Sequence, residues 1–127
     1  MNDGRKARGA RAYRGGLSAE DLACAALSDA GWTVLARRLR TEAGEIDVIA
    51  DRDGLLAIIE VKLRATLADA AYALSKRQQG RLLAAAEIVL ADHPDWGAAG
   101  VRFDVMVVDA GGTVRRIADA FRLEQPI

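Results

Sequence analysis

The sequence predicts one α/β domain built on a central mixed sheet, in the order α-β-β-β-α-β, with helices on the faces of the sheet. Three observations predict this class. Two segments have helical apolar stripes, an Asp-Gly turn lies between apolar runs, and helical and extended segments follow in this order. The chain has 127 residues, of which 51% are hydrophobic, and this suffices for one core. We expect the domain to span residues 17–127, after an N-terminal arm over residues 1–16.

Both helices carry recognisable ends. Ser18 is a typical N-cap with Asp21 three residues later, and the helix that follows should end at Gly31. Ser75 and Gln78 form the same kind of capping box before a second apolar stripe, which His93-Pro94 closes.

The extended segments are predicted from alternation and β-forming residues. We expect strands over 32–40, 45–50, 55–64 and 101–109, and a weaker final strand over 114–123. Asp53-Gly54 should form a two-residue type I′ turn between the second and third strands.

Composition excludes several classes of protein. No apolar run approaches the roughly 20 residues that cross a bilayer, and the N-terminus has no apolar signal segment. One cysteine (Cys24) and one histidine (His93) exclude an intramolecular disulfide and sites that need several cysteines or imidazoles. We therefore expect a cytoplasmic protein without membrane partners, whose chemistry uses carboxylates, lysine and arginine. A Cys24–His93 nucleophile and base is the weakest alternative.

Charge is distributed unevenly, although the whole chain carries a net charge of 0. The arm over residues 1–16 contains five basic residues and one acidic residue, which gives +4. Such an arm is suited to a polyanion, or is simply a solvated terminus. The neutral total argues against a protein that coats nucleic acid non-specifically.

The predicted hairpin places four charged side chains together. If its register continues from the turn, Asp47 lies opposite Glu60 and Glu45 lies opposite Lys62, all on one face. Opposed Cβ atoms are about 4.5–5.5 Å apart, so the two carboxylates repel unless a cation lies between them. Lys62 is one candidate cation, and Mg²⁺ or Mn²⁺ is the other.

The other face of the hairpin is expected to pack on the core. Its predicted members are all apolar: Ile46, Val48, Ala50, Ile59, Val61 and Leu63. In the first helix, Glu20 falls on the core-facing stripe, an unusual position for a glutamate. Surface fraying of the helix end is the alternative explanation.

The motif Gly44-Glu45-Ile46-Asp47, followed by Glu60-Val61-Lys62, resembles the PD-(D/E)XK nuclease pattern. From about residue 16 to residue 109 the chain is similar to the YraN-like family of small uncharacterised bacterial proteins, with Glu20, Lys76 and Arg102-Phe103-Asp104 as further marks. That family is assigned a restriction-endonuclease-like fold, and its relatives include archaeal Holliday-junction resolvases. Ile46 stands in place of the proline of the superfamily name.

The resemblance implies a role for each motif residue. Asp47, Glu60 and the main-chain carbonyl of Val61 would bind the metal, with Glu20 bound directly or through water. Lys62 would orient the attacking water, and Glu45 would set the position of the lysine. Phosphodiester hydrolysis needs these elements: an activated water, a Lewis acid and a stabilised leaving oxygen. The resolvase relatives also suggest a homodimer.

Other basic residues are candidates for contact with nucleic acid. Lys76 and Arg77 open the second helix, where a phosphate would be favoured, although two solvated side chains are an equal alternative. Arg38 and Arg40 could line the same groove or protect an edge strand from aggregation. Arg64, two residues after Lys62, completes this group.

Three functions follow from these residues. The first is a metal-dependent endonuclease that acts on DNA, and on branched or structured DNA by analogy with the resolvases. The second is a nucleic-acid-binding module with a nuclease-like fold and no catalysis. The third is a protein-interaction domain whose hairpin carries paired charges.

Overall fold

The computed structural model describes residues 17–64 and 74–121. The predicted arm over residues 1–16 lies outside the described residues and stays a prediction. The elements, in chain order, are α1 (Ala19–Asp29), β1 (Thr33–Thr41), β2 (Gly44–Arg52), β3 (Leu55–Leu63), α2 (Lys76–Asp92), β4 (Gly100–Val108) and β5 (Val114–Phe121). The predicted α/β class and order are confirmed, and the weaker final strand is present as β5. In the described ranges, neither helix is long and apolar enough to span a membrane.

The five strands form one mixed sheet in the order β1-β2-β3-β4-β5. β3 and β4 are parallel, and the other neighbouring pairs are antiparallel. A parallel pair needs a crossover connection, which explains why α2 lies between β3 and β4 in the chain.

Both helix starts are confirmed. The Ser18 hydroxyl accepts from the Asp21 N–H, and the Asp21 carboxylate accepts from the Ser18 N–H. Ser75 and Gln78 form the same reciprocal pair at the start of α2. Each capping box satisfies backbone donors that have no partner inside the helix.

The two faces of the sheet have separate cores. One face packs on α1 through apolar residues that include Leu27, Val48, Ala50, Ile59 and Val61. The opposite face packs on α2 through residues that include Ile46, Ile49, Ile58, Leu82 and Val89. The chain is therefore arranged as a helix, a sheet and a helix in three layers.

The hairpin between β2 and β3 has the predicted turn. Asp53 and Gly54 have φ angles of 52° and 87°, and both central residues of a type I′ turn need positive φ. The predicted register holds from Arg52 opposite Leu55 to Val48 opposite Ile59. The ladder ends there, one residue before Asp47 and Glu60.

β1 does not alternate regularly, and this changes the predicted faces of β2. Arg38 has a φ of 51°, and the pairing of β1 with β2 passes from Arg37–Val48 to Leu39–Ile46. The expectation that Ile46 shares a face with Val48 is wrong. Ile46 packs on the α2 side and Val48 on the α1 side, because the strand pair is irregular at Arg38 and Asp47.

We expect Gly54→Ala to destabilise the protein by about 1–2 kcal/mol, because an alanine at this positive φ is strained. An added Cβ would also lie 3.3 Å from the Cβ of Ala99. Gly80→Ala is the matched control: Gly80 lies inside α2 with open space around it, so alanine should stabilise by about 0.5–1 kcal/mol. Urea unfolding measures both. Equal effects of the two substitutions would contradict the assigned turn.

Candidate functional site

Few charged side chains are buried in the described part of the chain. Across residues 17–64 and 74–121 they are Glu20, Asp47, Glu60, Lys62 and Asp104. The first four are residues that the sequence analysis placed at the site. Burial of a charge is costly unless it is paired or hydrogen-bonded, so each of these positions needs a physical explanation.

Asp47 bridges β2 and β3 through its side chain. Its Oδ2 accepts a hydrogen bond of 2.8 Å from the Val61 N–H, and only 1% of the residue is exposed. The main-chain ladder has already ended at Val48 and Ile59. The carboxylate therefore takes over as acceptor for β3 at the point where the regular pairing stops.

This bond also indicates where the Val61 carbonyl points. In a β-strand the N–H and C=O of one residue face the same neighbouring strand. Since the Val61 N–H faces Asp47, the Val61 carbonyl faces β2 as well. A carboxylate and a carbonyl oxygen thus face the same gap between the two strands.

Glu60 and Lys62 form a buried ion pair beside Val61. Lys62 Nζ lies 3.4 Å from Glu60 Oε2, and the two side chains are 8% and 5% exposed. Residues two apart on a strand share a face, which brings the two groups together. This pair lies on β3 directly beside the Val61–Asp47 hydrogen bond.

Glu45 lies next to β1. Its Oε2 is 3.7 Å from Nε of Arg40, the residue that faces it in the β1–β2 register, and the Arg40 side chain is 81% exposed. An exposed pair at this distance contributes little to stability. The predicted position of Glu45 opposite Lys62 stays a prediction.

Glu20 is bound by two consecutive arginines. Its Oε1 accepts from Arg37 Nη2 at 3.2 Å and from Arg38 Nε at 3.1 Å. Neighbouring strand residues normally point to opposite faces, so both can reach one oxygen only because the strand is irregular at Arg38. Arg37 also donates to Asp21 Oδ1 at 2.8 Å.

The structure does not bring three acidic side chains into one group. Within residues 17–64 and 74–121, no cluster of three or more histidine, cysteine, aspartate or glutamate residues could hold a metal ion. Asp47, Glu60 and Val61 offer two carboxylates and one main-chain carbonyl at neighbouring positions of β2 and β3. Glu20 could bind a metal ion directly only if its contacts with Arg37 and Arg38 changed.

The predicted nucleic-acid contacts lie on several elements. Lys76 and Arg77 are exposed in the first turn of α2, and Arg64 follows β3 and donates to the Leu63 carbonyl. The sequence analysis missed Arg81, whose side chain lies over Gly44 at the start of β2. Arg77 and Arg81 are four residues apart and share a helix face, a spacing that could have identified Arg81.

A second charged cluster contains Arg102 and Asp104, which the sequence analysis named as marks of the family without predicting their contact. Arg102 donates two hydrogen bonds of 2.8 Å to the buried carboxylate of Asp104, which also accepts from the Asp119 N–H at 2.8 Å. Burial makes this pairing necessary, and the hydrogen bond to Asp104 raises the pKa of Arg102 above its usual value. The Arg-x-Asp spacing puts opposite charges on one face of an apolar strand, and this spacing could have predicted the ion pair.

Comparisons with known proteins identify the family to which the chain belongs. The profile of "Uncharacterised protein family UPF0102" matches residues 19–108, from the start of α1 to the end of β4. The chain belongs to this family. UPF0102 therefore includes both helices and the whole of the β2–β3 hairpin that carries the buried charges.

Individual UPF0102 proteins match over most of their length. The chain is 60% identical over 125 residues to one from Granulibacter bethesdensis, which covers 98% of this chain and 79% of that protein. It is 49% identical over 113 residues to one from Azorhizobium caulinodans, covering 89% and 86%. A third, from Rhodopseudomonas palustris, is 46% identical over 110 residues, covering 87% and 85%.

We expect Asp47→Ala to be less stable than Asp47→Asn by about 1–3 kcal/mol. Asparagine keeps an oxygen that can accept from the Val61 N–H, whereas alanine leaves this buried donor without a partner. Urea unfolding of the two variants gives the difference directly. Because both variants remove the same negative charge, equal stabilities would show that the hydrogen bond contributes nothing.

Asp21 should make stability depend on acid pH. Its hydrogen bond from the Ser18 N–H, and then its contact with Arg37, lower the pKa of Asp21 from 3.8 to about 2. Its stabilising contribution is therefore complete above pH 3.8 and is lost as the pH falls towards 2. Because the group is partly exposed, we expect Asp21→Asn to cost up to about 1 kcal/mol at neutral pH. Thermal unfolding should show this difference vanishing near pH 2, and a difference independent of pH would contradict it.

Proposed function

We propose that this protein is a metal-dependent endonuclease of the PD-(D/E)XK type that hydrolyses phosphodiester bonds in DNA. The observation that carries the proposal is the set of buried charges from Asp47, Glu60 and Lys62 at the end of the β2–β3 ladder. A fold alone does not determine an activity, so the argument depends on these side chains. By analogy with the resolvases, we propose branched or otherwise structured DNA as the substrate.

The donor set fits a hard divalent cation. Asp47, Glu60 and the carbonyl of Val61 offer only oxygen atoms, and Mg²⁺ and Mn²⁺ prefer oxygen ligands. These three residues would hold the ion, and one or more waters would complete its shell. When bound, Mg²⁺ or Mn²⁺ supplies Lewis acidity towards the phosphoryl oxygens.

Lys62 supplies a positive charge that is already in place. Its ammonium is held against Glu60 in a buried position, where charges interact more strongly than in water. It would orient the attacking water and donate hydrogen bonds to the phosphate as negative charge develops. An arginine is bulkier and offers a planar fork instead of a compact ammonium, so it would not fill this position equally well.

Basic residues near the start of β2 support DNA as the partner. Arg81 lies against Gly44, and Lys76 and Arg77 extend the same basic surface to the N-terminus of α2. Helix N-termini and guanidinium groups both favour phosphate. Arg38, Arg40 and Arg64 would add contacts from the sheet. We further propose that the protein acts in the cytoplasm and as a homodimer, with one site for each DNA strand.

One observation favours a second candidate, a nucleic-acid-binding module without catalysis. The Glu20 carboxylate is bound by Arg37 and Arg38, so in this structure it forms no group with the other two carboxylates. A module that binds DNA through arginines alone would need no metal. A protein-interaction domain would likewise use the hairpin charges as a paired surface.

A cleavage assay on branched, flapped and single-stranded DNA, with Mg²⁺ or Mn²⁺, tests the proposal. We expect cleavage by the wild type, and a loss of about 100-fold or more in Asp47→Asn, Glu60→Gln and Lys62→Gln, because each removes a charge used in the reaction. Glu87→Gln is the matched control, since Glu87 is an exposed carboxylate of α2. It should cleave as the wild type does.

Binding measured on the same DNA separates the three candidates. DNA binding that weakens with salt, without any cleavage, would identify the non-catalytic module. Neither binding nor cleavage would favour the protein-interaction domain. Cleavage that persists unchanged in Asp47→Asn and Glu60→Gln would overturn the assigned site.

A further inference from the structure

Trp32 lies inside a group of three arginines that the proposed nuclease site does not use. The Cζ atoms of Arg52, Arg102 and Arg116 are 5.0, 5.4 and 5.4 Å from the centre of the Trp32 ring. The indole is 97% buried, and each guanidinium is placed for a cation–π contact. Three positive groups around one ring also repel each other.

Two aspartates lie against Arg102 and Arg116. The buried Asp104 carboxylate pairs with Arg102 at 2.8 Å and lies 3.6 Å from Arg116 Nη1. The charge of Asp119 also acts on Arg102. Arg52 donates a hydrogen bond to the neutral Ala30 carbonyl.

Two donors in this group have no hydrogen-bond partner. They are the buried Nε1 of Trp32 and the buried Nη1 of Arg116. Nearly all buried donors in folded proteins are satisfied by protein groups, ordered water or a ligand, so these two donors are available to a further acceptor oxygen. The side chains of Arg102 and Arg116 are 23% and 29% exposed, so the group borders solvent. The two unpartnered donor atoms are themselves buried, and a ligand reaches them where these guanidinium groups move apart.

We propose that Trp32, Arg52, Arg102 and Arg116 form a binding site for a phosphate-type oxyanion. Its oxygens would accept from the indole and guanidinium donors and would reduce the repulsion between the arginines. Either inorganic phosphate or a phosphodiester of a nucleic-acid backbone supplies this chemistry.

The site is separate from the proposed metal centre. Arg52 ends β2 and Arg102 lies near the start of β4, whereas Asp47 and Lys62 lie at the opposite ends of β2 and β3. From Asp47 to Arg52 a strand rises roughly 16 Å at about 3.3 Å per residue. The oxyanion site therefore does not depend on the proposed nuclease function.

The indole N–H of Trp32 gives a direct readout. In a ¹H–¹⁵N NMR spectrum of the labelled full chain, Trp32 and Trp96 each give one indole signal, and Trp96→Phe assigns them. We expect inorganic phosphate, titrated at constant ionic strength with chloride as the reference anion, to shift the Trp32 signal saturably. Arg116→Gln should weaken this binding at least tenfold, and Arg52→Gln, at an exposed position, should weaken it as well.

Controls separate this site from general charge effects and from the nuclease proposal. Arg115→Gln removes an exposed neighbouring charge on β5 and should leave the affinity unchanged. Asp47→Asn should also leave the affinity unchanged, so the oxyanion site can stand if the nuclease proposal fails.

A short DNA duplex in place of phosphate distinguishes the two sources of the oxyanion. A shift of the Trp32 signal with DNA indicates a backbone contact, and a shift with phosphate alone indicates a free anion. No saturable shift with either probe, or the same shift in Arg116→Gln and Arg52→Gln, would overturn the proposal.

Discussion

The hydrogen bond from the Val61 N–H to the Asp47 carboxylate is the constraint on which the arrangement of the site depends. It forms just beyond the last main-chain pair of β2 and β3, so a side chain replaces the ladder at that point. The bond fixes the Asp47 carboxylate and directs the Val61 carbonyl towards β2. Glu60 and Lys62, on either side of Val61, are held by the same strand. Loss of the bond would release the donor set of the proposed metal centre.

The irregularity of β1 has a corresponding effect on the other side of β2. The positive φ of Arg38 directs Arg37 and Arg38 towards one carboxylate oxygen of Glu20, and it also separates the faces of Ile46 and Val48. A non-glycine residue in this conformation costs of order 1–3 kcal/mol, and such residues cluster at functional sites. The neutralised Glu20 can therefore remain buried beside apolar residues of α1.

Local rules predicted much of this fold, and longer-range packing decided the rest. Ser18 and Ser75 cap helices through contacts within three residues. The turn at Asp53-Gly54 depends on the φ preferences of those two residues. Both features could therefore be predicted from the local sequence. Asp47, Glu60 and Lys62 are buried, and their predicted roles at a metal site stay predictions. Arg38 has no local preference for positive φ, and its conformation depends on β1, β2 and α1 together. The wrong face predicted for Ile46 followed from assuming regular alternation through that point.

Calorimetric titration of Mn²⁺ and Mg²⁺ into the wild type, Asp47→Asn and Glu60→Gln tests the central claim most directly, because it requires no knowledge of the DNA substrate. The account predicts saturable binding by the wild type that both substitutions abolish, while Glu87→Gln binds as the wild type does. Absence of wild-type binding, or binding that neither substitution changes, would contradict a metal centre between β2 and β3.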